Sequence, residues 1–78
     1  MPTILREQGF RFHIFSEEHL PIHVHIKKGE ARARIILEPV VAIDKNYGFS
    51  PPEMRKIIKI IEQQYDYLIK RWHETFDE

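Results

Sequence analysis

The feature that most constrains this chain is the tetrapeptide Ser50-Pro51-Pro52-Glu53, because it combines several independent signals for the start of a helix. Ser50 offers a side-chain oxygen to free backbone N–H groups, and Pro51 occupies a first-turn position where a missing N–H has no cost. Glu53 completes a capping box with Ser50. The sequence therefore predicts that a helix begins at residue 51 and that the chain has two differently organised halves.

Apolar side chains recur at spacings of three and four residues after this start, which is the period of one helix face. They are Met54, Ile57, Ile58, Ile61, Tyr65, Leu68, Ile69, Trp72 and Phe76. We expect one long helix over residues 51–76, about 39 Å in length. A compact chain of this size is only about 30 Å across, so the helix should extend past its sheet. The uncovered end carries Leu68, Trp72 and Phe76, where we expect a second copy of the chain or a small partner protein to bind.

The first half of the chain alternates between apolar and polar residues at a period of two, which is the pattern of strands with one face in a core. Strands are predicted over residues 3–6, 10–15, 22–28, 30–38 and 40–43, with turns at Gly9 and Gly29 and with Pro39 ending or bending the fourth strand. Residues 1–78 are expected to form a single domain. The expected fold class is α+β: a curled antiparallel sheet of four to five strands followed by one long C-terminal helix packed on one face.

Composition narrows the classes of function. The chain has 78 residues, of which 42% are hydrophobic and 31% charged, as in folded soluble proteins. It has no cysteine, which removes disulfides and thiolate metal sites and fits a reducing compartment. No segment approaches the roughly 20 apolar residues that cross a bilayer, so we expect a cytoplasmic protein that does not enter a membrane. Twelve Lys plus Arg balance twelve Asp plus Glu, so any attraction to an anion must come from local arrangement.

Strand parity predicts that histidine, arginine and lysine side chains share the face of the sheet that points away from the helix. The candidate phosphate-binding residues on this face are Arg11, Lys27, Arg32 and Arg34. His23 and His25 are the candidate catalytic residues, because imidazoles with a pKa near 6.5 can act as acid and base in metal-independent RNA cleavage. The alternative of a plain solvated face without a ligand stays open.

The segment His23-Val24-His25 also permits a metal site, since residues two apart in a strand share a face at a separation of about 6.5 Å. A third ligand would come from His13 on the neighbouring strand, or from His19 or Glu18 in the preceding loop, and zinc is the expected ion.

The sequence therefore leaves three hypotheses. The protein is nucleic-acid-directed without a metal cofactor, or it holds a metal through histidines, or it is an interaction module that acts through its C-terminal helix.

Several residues spread along the chain match the sequence pattern of a protein family. They are the opening Met1-Pro2-Thr3-Ile4-Leu5-Arg6, then Gly9, Arg11-Phe12, Ser16, His23-Val24-His25, the step Pro39-Val40, and the terminal Trp72 and Phe76. With these residues the chain resembles the Domain of Unknown Function 4160 family over essentially its whole length. The resemblance implies a small bacterial protein encoded beside another small protein, an arrangement typical of toxin–antitoxin pairs. It implies no particular reaction.

Overall fold

The computed structural model describes residues 3–14 and 21–76, and these contain five strands followed by two helices. The strands are β1 (Thr3–Glu7), β2 (Phe10–His13), β3 (His23–Lys28), β4 (Ala31–Ile36) and β5 (Ala42–Tyr47). The helices are α1 (Pro51–Gln63) and α2 (Tyr65–Phe76). The α+β class and the antiparallel sheet predicted from the sequence are confirmed. No helix among the described residues is long and apolar enough to span a membrane.

The strands form one antiparallel sheet in chain order, β1-β2-β3-β4-β5. A two-residue turn of Gln8 and Gly9, with φ angles of 54° and 85°, connects β1 to β2 in the manner of a type I′ turn. The turn pairs Glu7 with Phe10. A similar short turn begins at Gly29, where φ is 60°. Because turns of fixed length set the register, the sequence determines locally which residues of β1 and β2, and of β3 and β4, lie opposite one another.

One face of the sheet packs against the helices and forms the core. Its strand residues include Phe10, Phe12, Val24, Ile26, Ala33 and Ile35, and its helix residues include Met54, Ile57, Ile60, Ile61, Leu68 and Trp72. Burying each large apolar side chain stabilises the fold by about 1.5–3 kcal/mol relative to leaving it exposed. The two periodicities in the sequence therefore decide which sides of the strands and helices meet.

The start of α1 has the predicted capping box. The Ser50 Oγ accepts a hydrogen bond from the Glu53 backbone N–H at 3.3 Å, and the Glu53 carboxylate accepts one from the Ser50 N–H at 2.9 Å. The bond from the Ser50 backbone is the largest cause that lowers the pKa of the Glu53 carboxyl. Just before the cap, the Asn46 side chain exchanges two 3.0 Å hydrogen bonds with the Phe49 backbone. These bonds connect the end of β5 directly to the start of the helix.

The prediction of one long helix is wrong, because the helix is interrupted at Gln64. The φ and ψ angles of Gln64, −109° and 19°, lie outside the α-helical range. Its N–H still donates to the Ile60 carbonyl at 2.9 Å, and its own carbonyl accepts from the Leu68 N–H at 2.9 Å. The interruption therefore changes the backbone path without leaving these polar groups unsatisfied.

Two tyrosine hydroxyls anchor α2 to the backbone of the sheet region. The Tyr65 Oη donates to the Leu37 carbonyl at 3.1 Å, and the Tyr67 Oη donates to the Ile4 carbonyl of β1 at 2.7 Å. Burial is the first cause that raises the pKa of Tyr65, and the charge of Glu38 adds to it. The second helix is thus fastened at two places that are far apart in the sequence.

The position of α2 corrects the prediction of an uncovered helix end. Leu68 and Trp72 are 0% and 3% exposed, and Phe76 is half-buried with its ring centroid 4.2 Å from that of Trp72. The expectation that these side chains are uncovered is therefore wrong for Leu68 and Trp72, because α2 packs them into the chain's own core. A homodimer or a small partner protein at this end stays a prediction.

The fifth strand lies later in the chain than predicted, over residues 42–47 instead of 40–43. All its residues are exposed, so it lacks the apolar alternation by which a strand is recognised. The fourth strand is shorter than predicted, covering residues 31–36 instead of 30–38, and it ends before Pro39. The last residue of the predicted second strand, Phe15, lies outside the described residues.

Candidate functional site

The face of the sheet opposite the helices, here called the outer face, carries a continuous row of cations. The pairing registers place Arg6 opposite Arg11, Arg11 opposite Lys27, Lys27 opposite Arg32, and Arg32 opposite Tyr47. Residues directly opposite in an antiparallel sheet share a face, with Cβ atoms about 4.5–5.5 Å apart. The four cations therefore form one line across β1 to β4, which we call the basic row, and Tyr47 of β5 lies at its end.

A second line of residues runs beside the basic row, and we call it the histidine row. It places His13 opposite His25, His25 opposite Arg34, and Arg34 opposite Lys45. The structure thus brings six predicted site residues onto one face. They are Arg11, Lys27, Arg32 and Arg34 together with His13 and His25. Their roles in binding or catalysis stay predictions.

The basic row is not neutralised within the described part of the chain. In the histidine row, Arg34 pairs with Asp44, with 3.3 Å between Nε and Oδ2. Within residues 3–14 and 21–76, no such ion pair involves a member of the basic row. Like charges directly opposite on neighbouring strands destabilise a sheet. Unless another part of the chain supplies a counter-charge, these like-charge contacts oppose folding, and a bound anion would relieve them.

Two clefts of about 360 and 340 Å³ open on the outer face. The first is lined by His25, Arg32, Ala33, Arg34, Lys45 and Tyr47, and the second by His13, His25, Ile26, Lys27, Arg32 and Ala33. Because His25, Arg32 and Ala33 line both, the two clefts are adjacent. A third cleft, between β5 and α1, is bordered by Ile43, Met54 and Ile58 and contains no histidine.

Burial and neighbouring cations perturb the protonation of His13. Burial is the largest cause that lowers the pKa of His13 below its ordinary value of 6.5, and the charges of Arg11, His25 and Lys27 act in the same direction. The lowered pKa keeps the imidazole neutral at pH 7, where it can accept a proton. A phosphate bound nearby would favour the charged form and raise this pKa.

The structure corrects the prediction that His23 faces solvent. The His23 side chain is 1% exposed, and its ring lies 5.1 Å from the ring of His25 and 5.2 Å from the ring of Trp72. Its Nδ1 lies 2.6 Å from the Pro21 carbonyl oxygen, to which it donates. Strand parity does place His23 on the same side as His25, but Trp72 of α2 reaches this end of the sheet and covers it. His23 is therefore inaccessible to a phosphodiester in this conformation.

The predicted metal ligands do not form a ligand set within the residues that the structure describes. Across residues 3–14 and 21–76 there is no group of three His, Cys, Asp or Glu side chains arranged to hold a metal ion. Two of the predicted ligands, His19 and Glu18, lie outside these residues. A metal site built from His13, His19, His23 and His25 thus stays a prediction.

Three residues of the outer face are not indicated as site residues by the sequence analysis: Arg6, Lys45 and Tyr47. Arg6 could have been found from the sequence, because a two-residue turn at Gln8-Gly9 places Arg6 opposite Arg11. No comparable signal exists for the other two. They belong to β5, and no short turn fixes the register of β5 on β4. That register also shifts between Arg34 and Ile35.

The fold and the outer face together define a small α+β domain with a histidine-and-cation sheet surface. Residues 9–73, most of the chain, match the family model described as Domain of unknown function (DUF4160). The protein belongs to this family, which confirms the resemblance predicted from the sequence. Neither a search of curated proteins nor a search of solved structures found a match.

Proposed function

We propose that this protein binds nucleic acid, with RNA as the expected ligand, through the cations of its outer face. The observation that carries the proposal is the basic row, in which four cations are successive neighbours across β1 to β4. Arginine and lysine form their strongest hydrogen bonds with anionic oxygens, including those of phosphate. A chain of phosphates lying over the row would replace like-charge contacts with opposite-charge contacts.

The dimensions of the outer face suit an elongated polyanion. Strands in a sheet lie about 4.8 Å apart, so the row from β1 to β4 is about 14 Å long. Because the cations follow one another at this spacing, an extended nucleic-acid strand lying along the row can place more than one phosphate against them. The two adjacent clefts give the face depth, which favours a strand lying in the clefts over a flat membrane surface.

The four predicted phosphate-binding residues contribute unequally in this proposal. Arg11, Lys27 and Arg32 belong to the basic row and are the main phosphate ligands. The Nε of Arg34 forms an ion pair with Asp44. Because a guanidinium has five N–H donors, the remaining donors of Arg34 can still reach a phosphate. Substituting Arg34 should therefore weaken binding less than substituting Arg32.

The test is the affinity for a labelled single-stranded RNA, measured by fluorescence anisotropy over a series of salt concentrations. Affinity should fall steeply with salt, and the slope should decrease by about 0.7 for each phosphate contact removed. We expect this decrease for Lys27→Gln and for Arg32→Gln. The matched control is Lys56→Gln, which removes one charge from the exposed surface of α1 and should leave the slope unchanged. Equal effects of all three substitutions, or no binding by the unaltered protein, would refute the proposal.

Cleavage of the bound RNA is the enzymatic form of this proposal, and the pairing of His13 with His25 at one cleft favours it. In such a reaction one imidazole accepts the proton of the 2′-hydroxyl as its oxygen attacks phosphorus. The other imidazole donates a proton to the departing 5′ oxygen, leaving a 2′,3′-cyclic phosphate and a free 5′-hydroxyl. The lowered pKa of His13 suits the accepting role. The buried His23 is replaced by His13 in this assignment, and His25 is retained.

Cleavage is tested by incubating RNA with the protein in EDTA and analysing the ends of the products. We expect cyclic phosphate ends that His25→Ala and His13→Gln each abolish while RNA is still bound. Bound but uncut RNA would show that the protein is a binding module only. A toxin–antitoxin role, which the family resemblance implies, would gain support only if the RNA is cut.

A further inference from the structure

Among the described residues, Tyr47 differs from Tyr65 and Tyr67 in that no hydrogen bond holds its hydroxyl. The hydroxyls of Tyr65 and Tyr67 each donate to a backbone carbonyl. In the part of the chain that the structure describes, Tyr47 forms neither a hydrogen bond nor a ring contact, and it is 59% exposed. Exposing a large aromatic ring to water is unfavourable. Its exposure is therefore not explained by the stability of the fold.

The position of Tyr47 connects it to the cations of the outer face. It lies directly opposite Arg32 at the end of the basic row, and it lines the first cleft together with Arg34, Lys45 and His25. Another large exposed apolar side chain on the same strand, Ile43, pairs with Ile35 of the core face and so points to the helix side. Tyr47 is thus an exposed aromatic ring beside a cleft lined with positive charge.

We propose that the outer face binds single-stranded nucleic acid and that one unpaired base stacks on the ring of Tyr47. This inference rests on the proposed function and specifies its ligand. In a duplex, both faces of an internal base are already covered by neighbouring bases, whereas an unpaired base has a face free for an aromatic side chain. The phosphate next to the stacked base would lie against Arg32 and Lys45. A cationic groove combined with an aromatic stacking surface is the usual chemistry of single-strand binding.

The experiment compares four probes: a single-stranded RNA of about ten nucleotides, a single-stranded DNA of the same sequence, the corresponding RNA duplex, and inorganic polyphosphate. We expect Tyr47→Ala to lower the affinity for the single strands by about five- to a hundredfold and to leave polyphosphate binding unchanged. Tyr47→Phe, which keeps the ring, should bind within about twofold of the unaltered protein. Ile43→Ala is the matched control, an exposed residue of the same strand on the other face, and should have no effect.

The outcomes separate this inference from the function on which it rests. If RNA and polyphosphate bind but Tyr47→Ala has no effect, or the duplex binds as tightly as the single strand, the stacking inference is wrong and phosphate binding stands. If no polyanion binds, the proposed function itself is wrong. Because Tyr47 is exposed, its substitution should leave the melting temperature unchanged. An equal loss of polyphosphate binding with Tyr47→Ala would overturn the stacking role.

Discussion

The ring of Trp72 packs against the ring of His23 with 5.2 Å between their centroids. This contact joins α2 to one end of the outer face, and both side chains are almost fully buried, at 3% and 1% exposed. The same contact makes His23 unavailable to a ligand and Trp72 unavailable to a partner. Of the three histidines on this face, His13 and His25 therefore stay partly accessible, whereas His23 is buried.

Trp72→Ala should destabilise the protein by about 3–5 kcal/mol, because it removes a large buried side chain and the cover over His23. Urea denaturation followed by circular dichroism measures this change. The control is Lys70→Ala in the same helix, an exposed site where a change within about 0.5 kcal/mol is expected. A Trp72 variant that keeps full stability but loses a binding partner would instead identify Trp72 as an interface residue.

Ser50→Ala should destabilise the protein by about 0.5–2 kcal/mol, since it removes the oxygen that accepts a hydrogen bond from the Glu53 N–H. Ser50→Asp should keep most of the stability, because its carboxylate can accept the same bond. The free energy of unfolding of the three proteins gives the comparison. Equal stability of the alanine and aspartate variants would mean that the cap contributes little here.

The lowered pKa of His13 predicts a loss of stability in acid. The folded state favours the neutral imidazole, so its contribution is fully present above the unfolded-state pKa of about 6.5 and is lost as the pH falls from there through the lower folded-state pKa. The melting temperature should therefore decline less between pH 7.5 and pH 5 for His13→Gln than for the unaltered protein. Identical pH profiles would show that His13 is not held neutral by the fold.

Lys27→Glu should have opposite effects on stability and on binding. Lys27 lies between Arg11 and Arg32, so a carboxylate there would convert two like-charge contacts into attractive pairs, each contributing about 0.2–1 kcal/mol. We expect a higher free energy of unfolding together with strongly weakened RNA binding. Lys56→Glu on α1 is the control and should change neither quantity appreciably. A variant that binds RNA normally would contradict the role given to the basic row.

Much of the outer face can be predicted from the sequence because strand parity is a local property. Alternation alone places Arg11, Lys27 and Arg32 on one side, and the short turns at Gly9 and Gly29 set Arg6 opposite Arg11 and Lys27 opposite Arg32. The cap of α1 is equally local, since Ser50 and Glu53 are only three residues apart. These features depend on neighbouring residues and not on how the helices are finally arranged.

The features that the sequence does not reveal depend on contacts between distant parts of the chain. The interruption at Gln64 contains neither glycine nor proline, and the burial of His23 follows from where α2 then lies. The position of β5 cannot be predicted from the sequence, because an edge strand exposed at every residue has no apolar alternation. Lys45 and Tyr47 could therefore not be assigned to the site before the sheet was known.

The basic row is assembled from residues 6 to 32 by four separate strands, so this alignment of charges exists only once the sheet has formed. A ligand that needs the whole row has little affinity for the unfolded chain, and at about 100 times its dissociation constant it would add about 2.7 kcal/mol to the free energy of unfolding. The four strands would then be held together from outside by the ligand as well as from inside by the core. For so short a chain, the concentration of ligand would help to set what fraction of the protein is folded.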